Sequence, residues 1–439
     1  MRAGGVIPTS RDNWLLVGRT LRVSRGSSFA KASADKSVGR LALGLLAGLL
    51  LAGCATAISP APRVVTAGLA PEQADRAERN LRVFDSVWDL VNRKYYDVKF
   101  QQVDWHAAAL TYGPKAAAAA DDDALYESIN AMIGLLKDSH THALAPARAK
   151  ERRSQERARS GFGLMKIENQ WVVTEVVPGS PADTAGVKPG WLVRARNGQE
   201  LRDRVDFHPA TDEVAQWEFL DEADRPVTLA LVAKLISTAP RQESRVLEGG
   251  VVYLRLDGFA YATRRWLHRE LIAHRAAPAL VIDLRSNPGG GTFWLREMIG
   301  EFFDRKVEVG TFTRREQAGD EAGSWQFGSV HYRGRVVLLT SGGSASAAEI
   351  FSAVLQEQHR AVIIGRKTMG AVLASRFYSL PDRGDLQLSV EDYATPAGRR
   401  LEGEGHGVEP DVPVTLTLAD LRAGRDRDLE AALHVLAAP

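Results

Sequence analysis

The chain has 439 residues, 45% of them hydrophobic and 25% charged, a balance that fits two or three folded domains and excludes a chain dominated by disorder. Its formal net charge is +2, yet residues 1–53 alone hold eight Lys or Arg and two Asp, so the remainder stands near −4. A body of that charge offers no basic footprint for nucleic acid.

Leu41 to Leu51 reads LALGLLAGLLL, uncharged and preceded by Lys31, Lys36 and Arg40. A bilayer-spanning helix needs about 20 apolar residues, so this shorter run with a basic flank is expected to be the core of a signal peptide over residues 1–53. The basic stretch upstream is long for such a peptide, and a start nearer Val38 fits one better. Leu51-Ala52-Gly53-Cys54 follows, and it resembles a bacterial lipobox, in which the cysteine receives a lipid and becomes the new N-terminus. Cys54 is the single cysteine of the chain, which excludes internal disulfides. By that resemblance the protein is a lipid-anchored component of the bacterial cell envelope. Ala55 after the cysteine, in place of an aspartate, resembles sorting to the outer membrane, facing the periplasm.

Residues 54–75 are rich in Ala and Pro without periodicity and read as a tether. Leu81, Phe84, Trp88 and Val91 fall at helical spacing, as do Leu125, Ile129, Ile133 and Leu136, so residues 76–150 predict an N-terminal helical domain that ends in the polar stretch Lys137-Asp138-Ser139-His140. Arg148 to Arg159 reads as a charged linker.

From Ser160 to Leu201, short β-rich runs are broken by Pro178-Gly179 and Pro189-Gly190, as expected of a small sheet domain over residues 160–238. The stretch resembles a PDZ domain. The resemblance rests on Gly161-Phe162-Gly163-Leu164, on Ser180-Pro181-Ala182 and on Gly186-Val187-Lys188-Pro189-Gly190. It implies that Gly161, Phe162, Gly163 and Leu164 form a loop whose backbone N–H groups hold a peptide carboxylate while the peptide adds as a strand. Trp191 departs from the pattern, in which an aspartate usually follows that glycine.

After Lys234 strands alternate with helices. Strands are expected over Val251–Leu256, Leu280–Leu284, Val336–Thr340 and Ala361–Gly365, with helices near Arg264–His274 and Phe293–Phe303 and from Ser346. The alternation predicts an α/β layered domain over residues 245–425, the unit expected to hold the chemistry. Within it, Thr340 to Phe351 reads TSGGSASAAEIF. A buried-strand run precedes it, Gly342-Gly343 permits a tight turn, and Ala347 onward favours helix, so Ser346 stands at a helix N-terminus. Free N–H groups and the helix dipole there would stabilise an oxyanion, each donor by roughly 3 kcal/mol. Alone, the motif equally suits a simple cap by Ser344 or Ser346. A second strand ends in Arg285-Ser286-Asn287-Pro288-Gly289-Gly290-Gly291, whose glycines let a backbone donor approach a substrate carbonyl. No lysine follows them as a P-loop requires.

Four stretches, VIDLRSNPGGG, TSGGSASAAEI, AVIIGRKTMGA and YATPAGRRLEGEGHGVEPDV, in that order after the PDZ-like segment, together resemble the S41 peptidases, the carboxyl-terminal processing proteases and their tricorn-core relatives, over residues 76–425. The resemblance implies a crotonase-like (ClpP-type) ββα catalytic domain and makes Ser346 the nucleophile, with Gly290 and Ala347 as oxyanion donors. Glu349 either orders the site or only favours the first helical turn.

A serine hydroxyl needs a base. In processing-type members that base is a lysine directly after the glycine of the GRKTMG element, where this chain has Ala371; Lys367, four residues earlier, would serve only with a rearranged loop. In the tricorn-type branch the base is a histidine preceded by serine and supported by a late glutamate, which Ser139-His140 and Glu404 match. His406 for His140 and Glu402 for Glu404 are the alternatives, since the Gly-rich segment leaves the register open. His140 and His142 form a candidate metal pair without a convincing third ligand, so neither metal nor cofactor is expected. The expected protein is a serine peptidase of polypeptide substrates, attached to a membrane through Cys54. A catalytically silent peptide-binding lipoprotein is the alternative.

Overall fold

The computed structural model describes residues 71–201, 209–315, 317 and 319–438. The apolar run, Cys54 and the tether as far as residue 70 lie outside the described residues. Helices α1 (Pro71–Lys94) and α3 (Asp122–Ile133) follow the apolar spacing, and α2 (Trp105–Ala118) lies between them. Asp104 and Asp121 cap the second and third by accepting from Ala107 and Ala124 N–H at 2.9 and 2.8 Å. Phe84, Val87, Trp88 and Val91 pack with Leu125, Ile129 and Met132 in one core that also takes Leu380, Leu386 and Leu388 from far along the chain. The helices are therefore fastened to the later unit by shared burial. A 3₁₀ turn (Gly134–Leu136) ends at Lys137 in left-handed conformation, and the chain bends through Ser139 and His140 into strand β1 (His142–Leu144).

The stretch expected as a linker is folded: it forms α4 (Pro146–Ser154) and β2 (Glu156–Arg159). Its charges have a distant partner, because Arg152 and Arg153 converge on the buried Asp385 at 2.8 and 2.9 Å. Strands β3 (Phe162–Ile167) and β4 (Gln170–Val176), the short helix α5 (Pro181–Thr184), and strands β5 (Leu192–Arg196), β6 (Gln199–Glu200), β7 (Val214–Leu220) and β8 (Pro226–Val232) follow. They form an antiparallel sheet in the order β3-β4-β5-β7-β8 with β6 on β5, and β9 (Lys234–Ser237) returns to pair with β2. Trp191, Trp217, Phe219 and Leu231 fill the core of this sheet. The unexpected Trp191 is thus a packing residue, with its indole N–H donated to Glu222 at 2.7 Å.

Beyond these lie β10 (Gln242–Val246), β11 (Val252–Leu256), α6 (Tyr261–Ala273), β12 (Ala279–Asp283), α7 (Thr292–Gly300), β13 (Glu308–Arg314), β14 (Asp320–Gly323), β15 (Arg335–Thr340), α8 (Ala347–Glu357), β16 (Val362–Gly365), β17 (Ala374–Ser379), β18 (Asp385–Ala394), β19 (Val412–Pro413), α9 (Leu418–Arg422) and α10 (Arg427–Ala437). One sheet runs β10-β11-β12-β15-β16-β19, parallel from β11 onward. Parallel strands need cover on both faces. Leu280, Ile282 and Leu338 pack toward α6, α7 and α8, while Val281, Val337 and Leu339 pack toward Ala432 of α10. The terminal helix, past the expected limit at residue 425, is therefore part of this layer. A second sheet is built on β18, which pairs antiparallel with β17, with β13 and with β1. Pairing of His142 with Gln387 fixes the segment that follows His140. The architecture is mixed α/β with a helical N-terminal region, and the carboxyl ends of the parallel strands, where open α/β sheets form crevices, carry the loops described next.

Candidate active site

The loops after β12 and β15 are stitched together by buried polar groups. Asn287, wholly buried, donates its Nδ2 to Leu256 O at 2.7 Å and accepts Gly289 N–H on Oδ1 at 2.8 Å, while its carbonyl accepts Ala345 N–H at 3.0 Å. Ser344 Oγ donates to Leu284 O at 2.8 Å and accepts Ser341 N–H at 3.0 Å. That hydroxyl is a staple, which leaves Ser346 as the serine at the start of α8. Ser346 has φ 54° and ψ −120°, a conformation that costs a non-glycine residue about 1–3 kcal/mol and persists only where neighbours impose it. Its N–H is held by Ala371 O at 2.8 Å and Glu349 Oε2 at 3.1 Å.

Two glycines make room beside it. A Cβ on Gly289 (φ +103°) would stand 2.6 Å from Ser346 Cβ and 2.9 Å from Ala347 N, and one on Gly290 (φ +147°) would stand 2.3 Å from Phe259 O. Phe259 bridges this strip through Gly289 O and Gly291 N–H, both at 2.8 Å. The N–H groups of Gly290 and of Ala347 have no acceptor among the described residues. Ala347 is the first residue of a helix, where N–H groups lack an intrahelical partner. Two free backbone donors thus flank the Ser346 side chain, the arrangement that stabilises a tetrahedral oxyanion.

Glu349 is fully buried. Oε1 accepts the Thr368 hydroxyl at 2.6 Å and Gly370 N–H at 2.7 Å, and Oε2 accepts Ala371 N–H at 2.8 Å besides Ser346 N–H. Burial pushes its carboxyl above the usual range, against the pull of those hydrogen bonds. It is an organiser of the loop over 368–371 and is turned away from solvent.

The histidine side joins the serine through one peptide group. The Ala371 carbonyl accepts from Ser346, and the Val372 N–H of the same peptide donates to Glu402 Oε2 at 2.7 Å; Glu402 Oε1 accepts Ser139 N–H at 3.2 Å. Ser139 Oγ lies 2.7 Å from His140 Nδ1, and Nε2 has no partner among the described residues. Asp138 shapes the turn, its Oδ1 accepting His140 N–H at 2.9 Å and Thr141 N–H at 2.6 Å. Burial holds the His140 pKa below the ordinary imidazole value, opposed by the charges of Glu402 and Asp138. A neutral imidazole is the form able to take a proton.

Other sequence candidates fall elsewhere. The carboxylate that meets Ser139 is that of Glu402, while Glu404 is exposed two residues along. The glycines on either side let the chain turn so that the earlier glutamate faces Val372. Lys367 Nζ donates to Gly405 O at 2.6 Å and pairs with Glu409 at 2.5 Å, which commits it away from Ser346. His406 is exposed, with Nδ1 3.3 Å from Arg400 O. No cluster of metal-ligating side chains occurs among the described residues. Gly161 has φ +96°, and Phe162 to Leu164 belong to β3, the end strand of its sheet. Phe162 and Leu164 line a cavity of about 230 Å³ with Trp171 and Trp217. Asn287 and Asp138, which hold the two loops in shape, were not singled out in the sequence. The only signals for them were their places in Ser-Asn-Pro-Gly and Asp-Ser-His-Thr, turn-forming runs.

Residues 250–414 match the model of Peptidase family S41, and residues 76–134 match that of the Tricorn protease C1 domain. The chain is similar to a carboxyl-terminal-processing protease of Picosynechococcus sp., 26% identical over 80% of this chain and 87% of that one. It is similar also to a carboxy-terminal-processing protease of Bartonella bacilliformis, 29% identical over 70% and 73%. Its fold resembles the solved photosystem II D1 C-terminal processing protease, with a TM-score of 0.57 and 22% identity over 82% of this chain and 97% of that one. It also resembles mature CPAF complexed with lactacystin, with a TM-score of 0.61 and 13% identity over 82% and 98%.

Proposed function

We propose that this chain, which belongs to peptidase family S41, cleaves polypeptides by acyl transfer to Ser346 with His140 as its general base. Ser346 Oγ attacks the scissile carbonyl while His140 Nε2 takes its proton. The tetrahedral oxyanion is received by the N–H groups of Gly290 and Ala347. His140 then returns the proton to the leaving amine, and water repeats the sequence to release the acyl group. Ser139 Oγ fixes the imidazole at Nδ1, and Glu402, in the role expected of Glu404, holds Ser139. The observation that carries this reading is the single peptide group of Ala371 and Val372, bonded to Ser346 on one side and through Glu402 to the histidine turn on the other.

The layered unit is read as the crotonase-like catalytic domain, and the sheet of β3 to β8 as PDZ-like, with the free edge of β3 and its cavity receiving an extended peptide end. The bounds proposed for the units are 76–150, 160–238 and 245–425, the last lengthened by α10 to residue 437, after a leader of 1–53 and a tether of 54–75. Lipidation at Cys54 would seat the enzyme on the outer membrane, facing the periplasm; membrane partition that survives Cys54→Ala would refute it. A fluorophosphonate probe tests the chemistry, since only an activated serine reacts. Wild type labelled and Ser346→Ala unlabelled is the expected outcome. An unlabelled wild type that still binds peptides would favour the catalytically silent reading.

A further inference from the structure

Immediately beyond the oxyanion loop the surface turns aromatic. Gly291 precedes α7, and Trp294 of its first turn packs against that glycine. From Trp294 one ring contact leads to Tyr261 at the start of α6, with centroids 5.2 Å apart. Others lead through Phe293 at 4.6 Å to Trp325 at 4.3 Å and on to Phe327 at 6.0 Å. Tyr261, Phe293 and Phe327 are 55%, 45% and 66% exposed. The rings are nevertheless held in place: Arg264, paired with Glu297, donates to Phe327 O at 3.3 Å, and the Arg296 guanidinium lies 4.3 Å over Trp325. A connected, pre-ordered aromatic strip left in water marks a binding surface.

Its position selects the occupant. Gly290, whose free N–H flanks Ser346, is three residues from Phe293, so a bilayer seated on the strip would cover the catalytic crevice. A second copy of the chain would need about 800 Å² per partner for a stable dimer; five rings that bury roughly 150–250 Å² each when fully covered, and are here half covered already, fall short of that. An extended polypeptide needs less. The ring-to-ring steps of 5.2, 4.6, 4.3 and 6.0 Å bound the strip at the length of about six residues of strand at ~3.3 Å each.

We propose that Tyr261, Phe293, Trp294, Trp325 and Phe327 form a subsite for the substrate chain that selects large apolar side chains several residues from the scissile bond. This subsite rests on the acyl-transfer reading only for its direction from Ser346, and its test does not require turnover. In a Ser346→Ala background, two fluorescein-labelled twelve-residue peptides are titrated by anisotropy. They share their central residues and carry either Leu and Phe or Ser and Gly on both flanks. The apolar peptide is expected to bind at least about tenfold tighter, and Phe293→Ala/Phe327→Ala is expected to bring the two affinities within about twofold. Phe293→Leu should keep most of the preference, which separates lost contact from lost folding. Equal affinity of the two peptides in the Ser346→Ala protein would overturn the proposal. So would a double variant that keeps the preference but loses a dimer in sedimentation or its hold on phosphatidylglycerol vesicles. Failure of fluorophosphonate labelling in wild type would instead sink the catalytic reading and leave this measurement intact.

Discussion

Replacing Asn287 by alanine tests whether the loops after β12 and β15 depend on one another. Its side chain is wholly buried and makes two bonds, Nδ2 to Leu256 O at 2.7 Å and Oδ1 from Gly289 N–H at 2.8 Å. Alanine leaves both partners buried without a replacement, at about 1–3 kcal/mol each, so a loss of about 3–4 kcal/mol is expected. For a cooperative unit of 150–250 residues, at roughly 2–4 °C per kcal/mol, that lowers the melting temperature by about 10 °C. The chemistry should suffer separately. Gly289 packs on Ser346 and precedes the donor Gly290, so release of the loop should cost about one oxyanion donor, on the order of 10²-fold in fluorophosphonate acylation measured well below the melting transition. A variant that keeps both the wild-type melting temperature and the wild-type acylation rate would refute this account of the loops.

Glu402→Gln should slow acylation at least about tenfold, with Glu404→Gln within about twofold of wild type; the reverse order would restore the register that the sequence suggested. Lys367→Met should leave Ser346 labelling within about twofold, because that ammonium is bonded to Gly405 and Glu409, whereas His140→Ala should lose about 10²–10⁴-fold. Stability should also carry the histidine's sign. Its folded pKa lies below the ordinary 6.5, so the folded state binds fewer protons than the unfolded one. The contribution is complete above pH 6.5 and is lost as the pH falls through the folded value. The denaturant midpoint of wild type should fall relative to that of His140→Gln as the pH drops below 6.5, and parallel curves would contradict the assignment.

Much of the parallel sheet was legible because parallel strands covered on both faces are apolar without a break, as in Val336 to Leu339. α1 and α3 were legible from one-sided spacing. The second sheet was not: β18 takes only β17 from its own stretch of chain and its other partners, β13 and β1, from far along it, and β1 has only His142 to Leu144 to show. Nor was α4, a charged segment whose order comes from Asp385 more than two hundred residues on. At the site, Ser346 was marked by its turn and helix, and Ser139 and His140 by their family pattern. Which glutamate faces them depends on the path of Gly403, Gly405 and Gly407, all at positive φ, and residue type along a glycine-rich loop leaves that path open.

The pH dependence of Ser346 acylation by a fluorophosphonate tests the base most directly. A half-buried imidazole with a lowered pKa predicts a rate that rises through an inflection below the usual histidine value of 6.5 and a limb that vanishes in His140→Ala. An inflection in the alkaline range of an amine, surviving His140→Ala, would contradict the assignment.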